Sequence, residues 1–241
     1  MKFSYIFKCL CLLSIFWMSS GFIQGPHQLV QMHMLKRTAT NGYTTSMEAD
    51  LYYSSEGKMV TLMQAPYKTL VSNTSKGELT IYNFDQNSVI SENNYLYSTE
   101  SNQLYYFLSN KKADMGLSSS GFVLKETVFE DGVKITRWTP PMQIAKQLGT
   151  VELVHDKANP IFMSYSLPSG QIIKKVYFYS YIDLKGVDFP TAVTEISYRS
   201  EKDSVLTKTT YNNFTFNEEV DQQYLNFKIP ANAKVLTNPV K

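Results

Sequence analysis

The chemistry open to this chain is bounded by three histidines, His27, His33 and His155, and two cysteines, Cys9 and Cys11. A hydrolytic triad needs a nucleophile, an imidazole and an acid in one place. His155 stands beside Asp156 in VELVHDKANP, but no Gly-x-Ser-x-Gly elbow accompanies it, so the residues favour a turn histidine over a general base. His27 and His33 lie six apart, which on a helix turns them to different sides and spoils metal ligation. Glu218, Glu219 and Asp221 cluster without the regular oxygen spacing of a calcium loop. Gly116-LSSS-Gly121 has the glycine spacing of a phosphate loop, yet Phe122 and Val123 stand where Lys and Ser or Thr are required. A Ser/Gly connector is the simpler reading. No catalytic residue, metal or cofactor is therefore expected, and the chain is not read as an enzyme.

Residues 1–21, MKFSYIFKCLCLLSIFWMSSG, join Lys2 and Lys8 to an apolar run from Cys9 to Met18 and then to small residues. These are the three parts of a secretory signal peptide, and the run is too short for the ~20 residues of a membrane span. Both cysteines would leave with it, so the exported chain would hold together by packing without disulfides. Loss of Lys2 and Lys8 leaves 21 basic against 21 acidic residues. A neutral balance argues against nucleic acid as a partner. The remaining 22–241 is read as one domain, since all-β domains often reach this length.

With 43% hydrophobic residues, 17 Tyr and 14 Phe, the composition favours strands. PHQLVQMHMLKRT spaces Leu29, Met32 and Leu35 three apart behind Pro26, which predicts an amphipathic helix over about 26–38. From Tyr43 the period becomes 2: Met47, Ala49, Leu51 and Tyr53 alternate with Glu48, Asp50 and Tyr52. About five strands follow. A second helix is predicted over about 95–109, with Leu104, Phe107 and Leu108 at helical spacing, then a polar flexible link KKADMGLSSSG. Asp131-Gly132 marks a hairpin and MQIAKQLG a short helix; with five further strands after it, about eight strands joined mainly by tight turns follow the second helix. The expected fold is mainly β, an antiparallel meander of about 11–13 strands with two or three helices. Eight methionines lie beyond the leader, five of them at Met32, Met34, Met47, Met59 and Met63. Methionine adapts to irregular apolar partners, which brings lipid binding into view.

Three stretches carry a resemblance. They are YTTSMEADLYYSSEGKMVTLMQAPYKTLVSNTSKGELTIYNF, VYFYSYIDLKGVDFPTAVTEISY and YNNFTFNEEVDQQYLNFKIPANAKV, the last with Asn217, Val220, Asp221, Phe227, Pro230, Ala233 and Val235. Together with the element order they resemble the LolA family of periplasmic outer-membrane lipoprotein carriers, over roughly residues 26–237. The resemblance implies an unclosed, half antiparallel β-barrel whose concave face is covered by helices and receives acyl chains. It implies a periplasmic monomer in a Gram-negative bacterium, with lipoprotein acyl chains or other lipid as cargo. It further implies transient contact with an inner-membrane donor and an outer-membrane acceptor. A related fold serves as an envelope sensor that binds a partner protein; that, or a carrier of non-protein lipid or glycolipid cargo, is the alternative.

On this reading the cavity wall comes from the more apolar face of each strand: Met47, Leu51, Met59, Met63, Ile81, Val133, Ile135, Val176, Phe178 and Ile182. The movable lid would carry Leu29, Met32 and Leu35 on the first helix and Leu104, Phe107 and Leu108 on the second. Carriers of this family often have an arginine latch after the Pro that ends the second strand; here Lys68 follows Pro66-Tyr67 and would have to donate without the planar fork of Arg.

Overall fold

The computed structural model describes residues 28–200 and 203–236. The predicted signal peptide, Pro26 and His27 lie outside the described residues. Fourteen strands form one sheet: β1 (Leu29–Thr40), β2 (Tyr43–Ser54), β3 (Lys58–Met63), β4 (Thr69–Thr74), β5 (Glu78–Asn83), β6 (Ser88–Asn93), β7 (Val123–Glu130), β8 (Val133–Thr139), β9 (Val151–Asp156), β10 (Asn159–Ser166), β11 (Ile172–Asp183), β12 (Asp188–Ser200), β13 (Asp203–Phe216) and β14 (Lys234–Val235). Their order is β14-β6-β5-β4-β3-β2-β1-β13-β12-β11-β10-β9-β8-β7, antiparallel except for the parallel pair β14 and β6. The edges β7 and β14 do not pair with each other, so the barrel is unclosed.

The first predicted helix is β1. Leu29, Met32 and Leu35 fit a period of three, but Val30, Met32 and Met34 fit a period of two, and these are the residues 2%, 1% and 8% exposed. Asn41 and Gly42, at φ 49° and 78°, close a two-residue hairpin that pairs β1 with β2 from Thr40↔Tyr43 to Leu29↔Ser54. Positive φ at both centre positions is what an Asn-Gly turn supplies, and the twelve-residue partner settles the competition between periods. Met32 thus becomes sheet wall, while Leu29 packs on the opposite face. The Asp131-Gly132 hairpin forms as expected, at φ 50° and 82°.

The second predicted helix exists in fragments: 3-10 turns at Tyr95–Tyr97 and Thr99–Ser101, then one six-residue α-helix, α1 (Gln103–Leu108). Asn94, Ser98 and Asn102 stand four apart, and each accepts from the backbone N–H two residues on. Every cap ends one turn and starts the next, which prevents a continuous helix. MQIAKQLG forms turns closed by Ile144 N–H to Pro141 and Leu148 N–H to Ile144 rather than a helix.

Residues 111–121 are not a free link. Met115 and Leu117 are buried in the main core, and the Asp114 carboxylate accepts from Gly116 N at 3.0 Å and Ser118 N at 3.1 Å. Gly116 has φ 77°, and a Cβ there would lie 1.9 Å from the Tyr106 hydroxyl oxygen. Only glycine fits where the ring packs on the chain.

The sheet has two differently covered faces. The inner face carries Val30, Met32, Leu51, Tyr53, Met59, Leu153, Met163, Val176 and Phe178 against α1 and Met115. The outer face of β2 to β5 is covered by the C-terminal segment, with Val220 and Leu225 packed on Tyr52, Val60, Leu62 and Leu70. Tyr224 lies 5.5 Å from Tyr52, and Phe227 5.3 Å from Tyr82, between ring centres.

Candidate lipid-binding site

Register places the expected wall residues one by one. Pairing of Leu51 with Thr61 and Met32, Met59 with Tyr53, Met63 with Ala49, and Met47 with Lys36 puts all four candidates of β2 and β3 on the inner face. Leu51 and Met59 are buried there, and Met47 and Met63 pack at the margin of the same core. Val176 and Phe178 are fully buried, with the Phe178 ring 5.2 Å from Phe107 of α1. Ile81 shares the inner face through Val71 and Thr61, but it is half-buried and outside the core.

Three candidates are corrected. Val133 and Ile135 lie on the outer face, because Thr136 and Trp138 of the same strand pair with Leu153 and Val151 on the inner one. Trp138 donates from Nε1 to Thr136 Oγ1 at 3.0 Å, which passes its own proton to the Leu153 carbonyl at 3.1 Å. That chain satisfies both polar groups and lets the larger ring take the inside. Ile182 is 39% exposed because Ser180 has φ 57°, which breaks the alternation of β11. Tyr181 turns inward instead, 6.3 Å from the Phe107 ring.

Of the residues expected in the lid, Leu104, Phe107 and Leu108 are buried in α1 against the inner face, whereas Leu29, Met32 and Leu35 belong to β1. Met163, Tyr165, Phe189 and Tyr211 also serve the site and were not selected from sequence. The alternation Ile161, Met163, Tyr165 was a legible signal for two of them.

Two cavities lie between the sheet and its cover. One, of about 640 Å³, is a cleft open to solvent, bounded by Met59, Met163 and Tyr165 of the sheet, by Tyr106, Leu117 and Phe122 of the cover, and by polar groups that include Ser98, Glu100, Ser101 and Ser120. The other, of about 130 Å³, is bounded by Leu104, Phe107, Phe178, Phe189, Val193 and Tyr211. Asn102, Gln103 and Glu195 line both. Burial pushes the Tyr165 hydroxyl up to about 12, and burial with the nearby Tyr105 does the same for Tyr53. Burial raises Tyr211 as well, so these phenols stay neutral. The fixed charges at the larger cavity include Lys174 Nζ and Glu195 Oε2, paired at 2.7 Å.

The cover is fastened at both ends. Near its start, Thr99 donates to the Gly57 carbonyl at 3.0 Å, Ser98 to that of Ser75 at 3.0 Å, and Asn73 to that of Tyr97 at 2.9 Å. At its far end Lys112 Nζ donates to Asn159 Oδ1 at 2.6 Å and to the Asp188 carbonyl at 3.3 Å. Lys68 takes no part: its ammonium lies 4.9 Å from the centre of the Phe84 ring, which packs on the outer core. His155 is buried beneath the cover with Nε2 3.4 Å from the Lys112 carbonyl, and its Nδ1 has no partner. His33 pairs with Asp50 at 3.0 Å. Among the described residues no three His, Cys, Asp or Glu come together to hold a metal.

These features define a class: single-sheet open barrels whose apolar inner face is roofed by a short hydrogen-bonded segment. Within that class the fold is LolA-like. Three solved structures share it at 12% identity. A LolA superfamily protein from Nitrosomonas europaea covers 84% of this chain and 92% of its own, at a TM-score of 0.55. A DUF1329 family protein from Desulfovibrio piger covers 82% and 89%, at 0.56. A domain named for outer-membrane lipoprotein sorting, from Vibrio parahaemolyticus, covers 82% and 89%, at 0.56. No family model and no curated protein matches the sequence.

Proposed function

We propose that this protein is a periplasmic carrier that shelters acyl chains of lipoproteins or other lipids and moves them toward the outer membrane. The observation that carries the reading is the apolar inner face of the sheet, with two cavities beneath a cover fastened by hydrogen bonds at its ends. The LolA-like fold supports it. Each methylene removed from water contributes about 0.8 kcal/mol, so ten give roughly 8 kcal/mol. That is enough for tight holding without any covalent step, and the site is read as non-enzymatic. Met32, Met59, Met63 and Met163 suit a wall that must accept chains of varied shape. Release requires a state that binds the chain less well. The empty state supplies one when Leu104, Phe107 and Leu108 refill the space. A donor at the inner membrane and an acceptor at the outer membrane would each meet the protein briefly.

The test is mass spectrometry of the protein purified from its native periplasm, followed by titration of the delipidated protein with an acyl fluorophore. Bound acyl lipid and saturation near one site are expected. Absence of both overturns the reading.

A further inference from the structure

One wall of the larger cavity joins three strong hydrogen-bond donors to two weak acceptors. Asn102 Nδ2 faces Met59 Sδ at 3.5 Å, Gln103 Nε2 faces Met163 Sδ at 4.0 Å, and the Tyr165 hydroxyl faces Met163 Sδ at 3.3 Å. All five residues line the same cavity. The Asn102 orientation is fixed, because its Oδ1 accepts from Leu104 N at 3.0 Å and leaves the NH2 group turned to the sulfur. A thioether is a weak acceptor, so each donor would gain from an oxygen in its place. Lys174, over the Tyr165 ring at 5.9 Å and paired with Glu195, bounds one side, while the small cavity beyond Asn102 and Gln103 brings Phe107, Phe178 and Phe189 together, with Lys36, Glu195, Thr207 and Thr209 at its margin.

Resting on the acyl-carrier reading, we infer that Asn102, Gln103 and Tyr165 form a subsite for the carbonyl oxygen that joins an acyl chain to its head. The carbonyl takes the donors now facing Met59 and Met163. The chain runs toward the aromatic end, and the head lies toward Lys174. The ligand class is an acyl ester or amide, as opposed to a plain hydrocarbon or an ether lipid.

The test compares palmitoylglycerol with hexadecylglycerol, which has the same chain and head but an ether in place of the ester. Each displaces a bound apolar fluorophore from the delipidated protein. The ester is expected to bind about tenfold tighter, the difference that hydrogen bonds to one carbonyl supply. That ratio falls toward one in Asn102→Asp combined with Gln103→Leu, and partway in Tyr165→Phe. Asn102→Asp keeps the oxygen that Leu104 N–H needs, so the start of α1 survives. A diacylated lipopeptide and its dialkyl ether counterpart separate polypeptide-borne carbonyls from free ones, and an ester preference in either pair supports the inference. Equal binding of ester and ether by the unaltered protein overturns it without needing any variant, and leaves the acyl-carrier reading standing. Binding of no probe overturns both.

Discussion

Lys112 Nζ lies 2.6 Å from the Asn159 carboxamide oxygen and 3.4 Å from Asp188 Oδ2, with its side chain only 9% exposed. One desolvated cation therefore ties the far end of the cover to β10 and β12. Such a group is held by its partners and leaves them unsatisfied when removed.

Lys112→Met should cost about 1.5 to 3 kcal/mol, the range for hydrogen bonds to a charged group. It should also loosen the cover selectively. Hydrogen exchange is expected to quicken between Leu104 and Leu117 while β9 to β11 stay protected. Unchanged exchange in the cover would show that Lys112 is no latch.

Stability should fall on mild acidification. Burial, and then the facing Lys134, hold the His155 imidazole below its ordinary value of 6.5, outweighing the hydrogen bond to the Lys112 carbonyl, which acts the other way. The unfolded chain then binds a proton near 6.5 that the folded chain refuses, so stability declines as the pH drops below that value. The slope from this one group is at most about 1.4 kcal/mol per pH unit. Urea melts between pH 7 and 5 should show the decline, and His155→Gln should flatten it; parallel curves for the two proteins would remove His155 from the account.

The two faces of β11 should respond unequally. Phe178→Asp puts a carboxylate among Val176, Phe107 and Phe189 and should destabilise by more than about 3 kcal/mol, through buried charge and lost packing. Tyr179 bonds Thr194 by its hydroxyl at 2.9 Å on the other face, so Tyr179→Ser should cost about 1 kcal/mol. Denaturant midpoints measure both, and equal losses would contradict the assignment of faces.

Gly116→Ala should displace the Tyr106 ring, since the new methyl would overlap its hydroxyl and φ is 77°. A loss of roughly 1 to 3 kcal/mol is expected from strain at such a site. Thermal melting checks it. A melting temperature equal to that of the parent would mean that the ring has room to move.

Much of the sheet was legible because strands with one polar face alternate plainly, as in Met47 to Tyr53, and because Asp131-Gly132 announces its turn. The unclosed barrel came from family resemblance, since nothing in an alternation pattern says whether a sheet closes. The misread helix shows the limit of periodicity: in a run where Leu29, Val30, Met32, Met34 and Leu35 are all apolar, two periods fit. The overlooked signal was Asn41-Gly42, which decides for the hairpin.

The inward set failed for different reasons at different places. Val133 and Ile135 looked more apolar than Lys134 and Thr136, but a single Trp138 with a satisfied N–H outweighs them. Ile182 followed an alternation that Ser180 interrupts, and a positive φ at serine has no sequence signature. The cover was underestimated because KKADMGLSSSG looks like loop, yet its Asp114 accepts from Gly116 and Ser118 and fixes the turn that puts Met115 and Leu117 in the core.

The C-terminal segment on the outer face gives the two halves of the sheet unequal stiffness. Strands β2 and β3 are clad on both sides and resist bending as a laminated beam does. Strand β7, exposed along most of its length, ends the half that lacks this cladding. On the acyl-carrier proposal, a widening of the inner space on loading would fall to β7 to β13, whose outer face the C-terminal segment leaves uncovered.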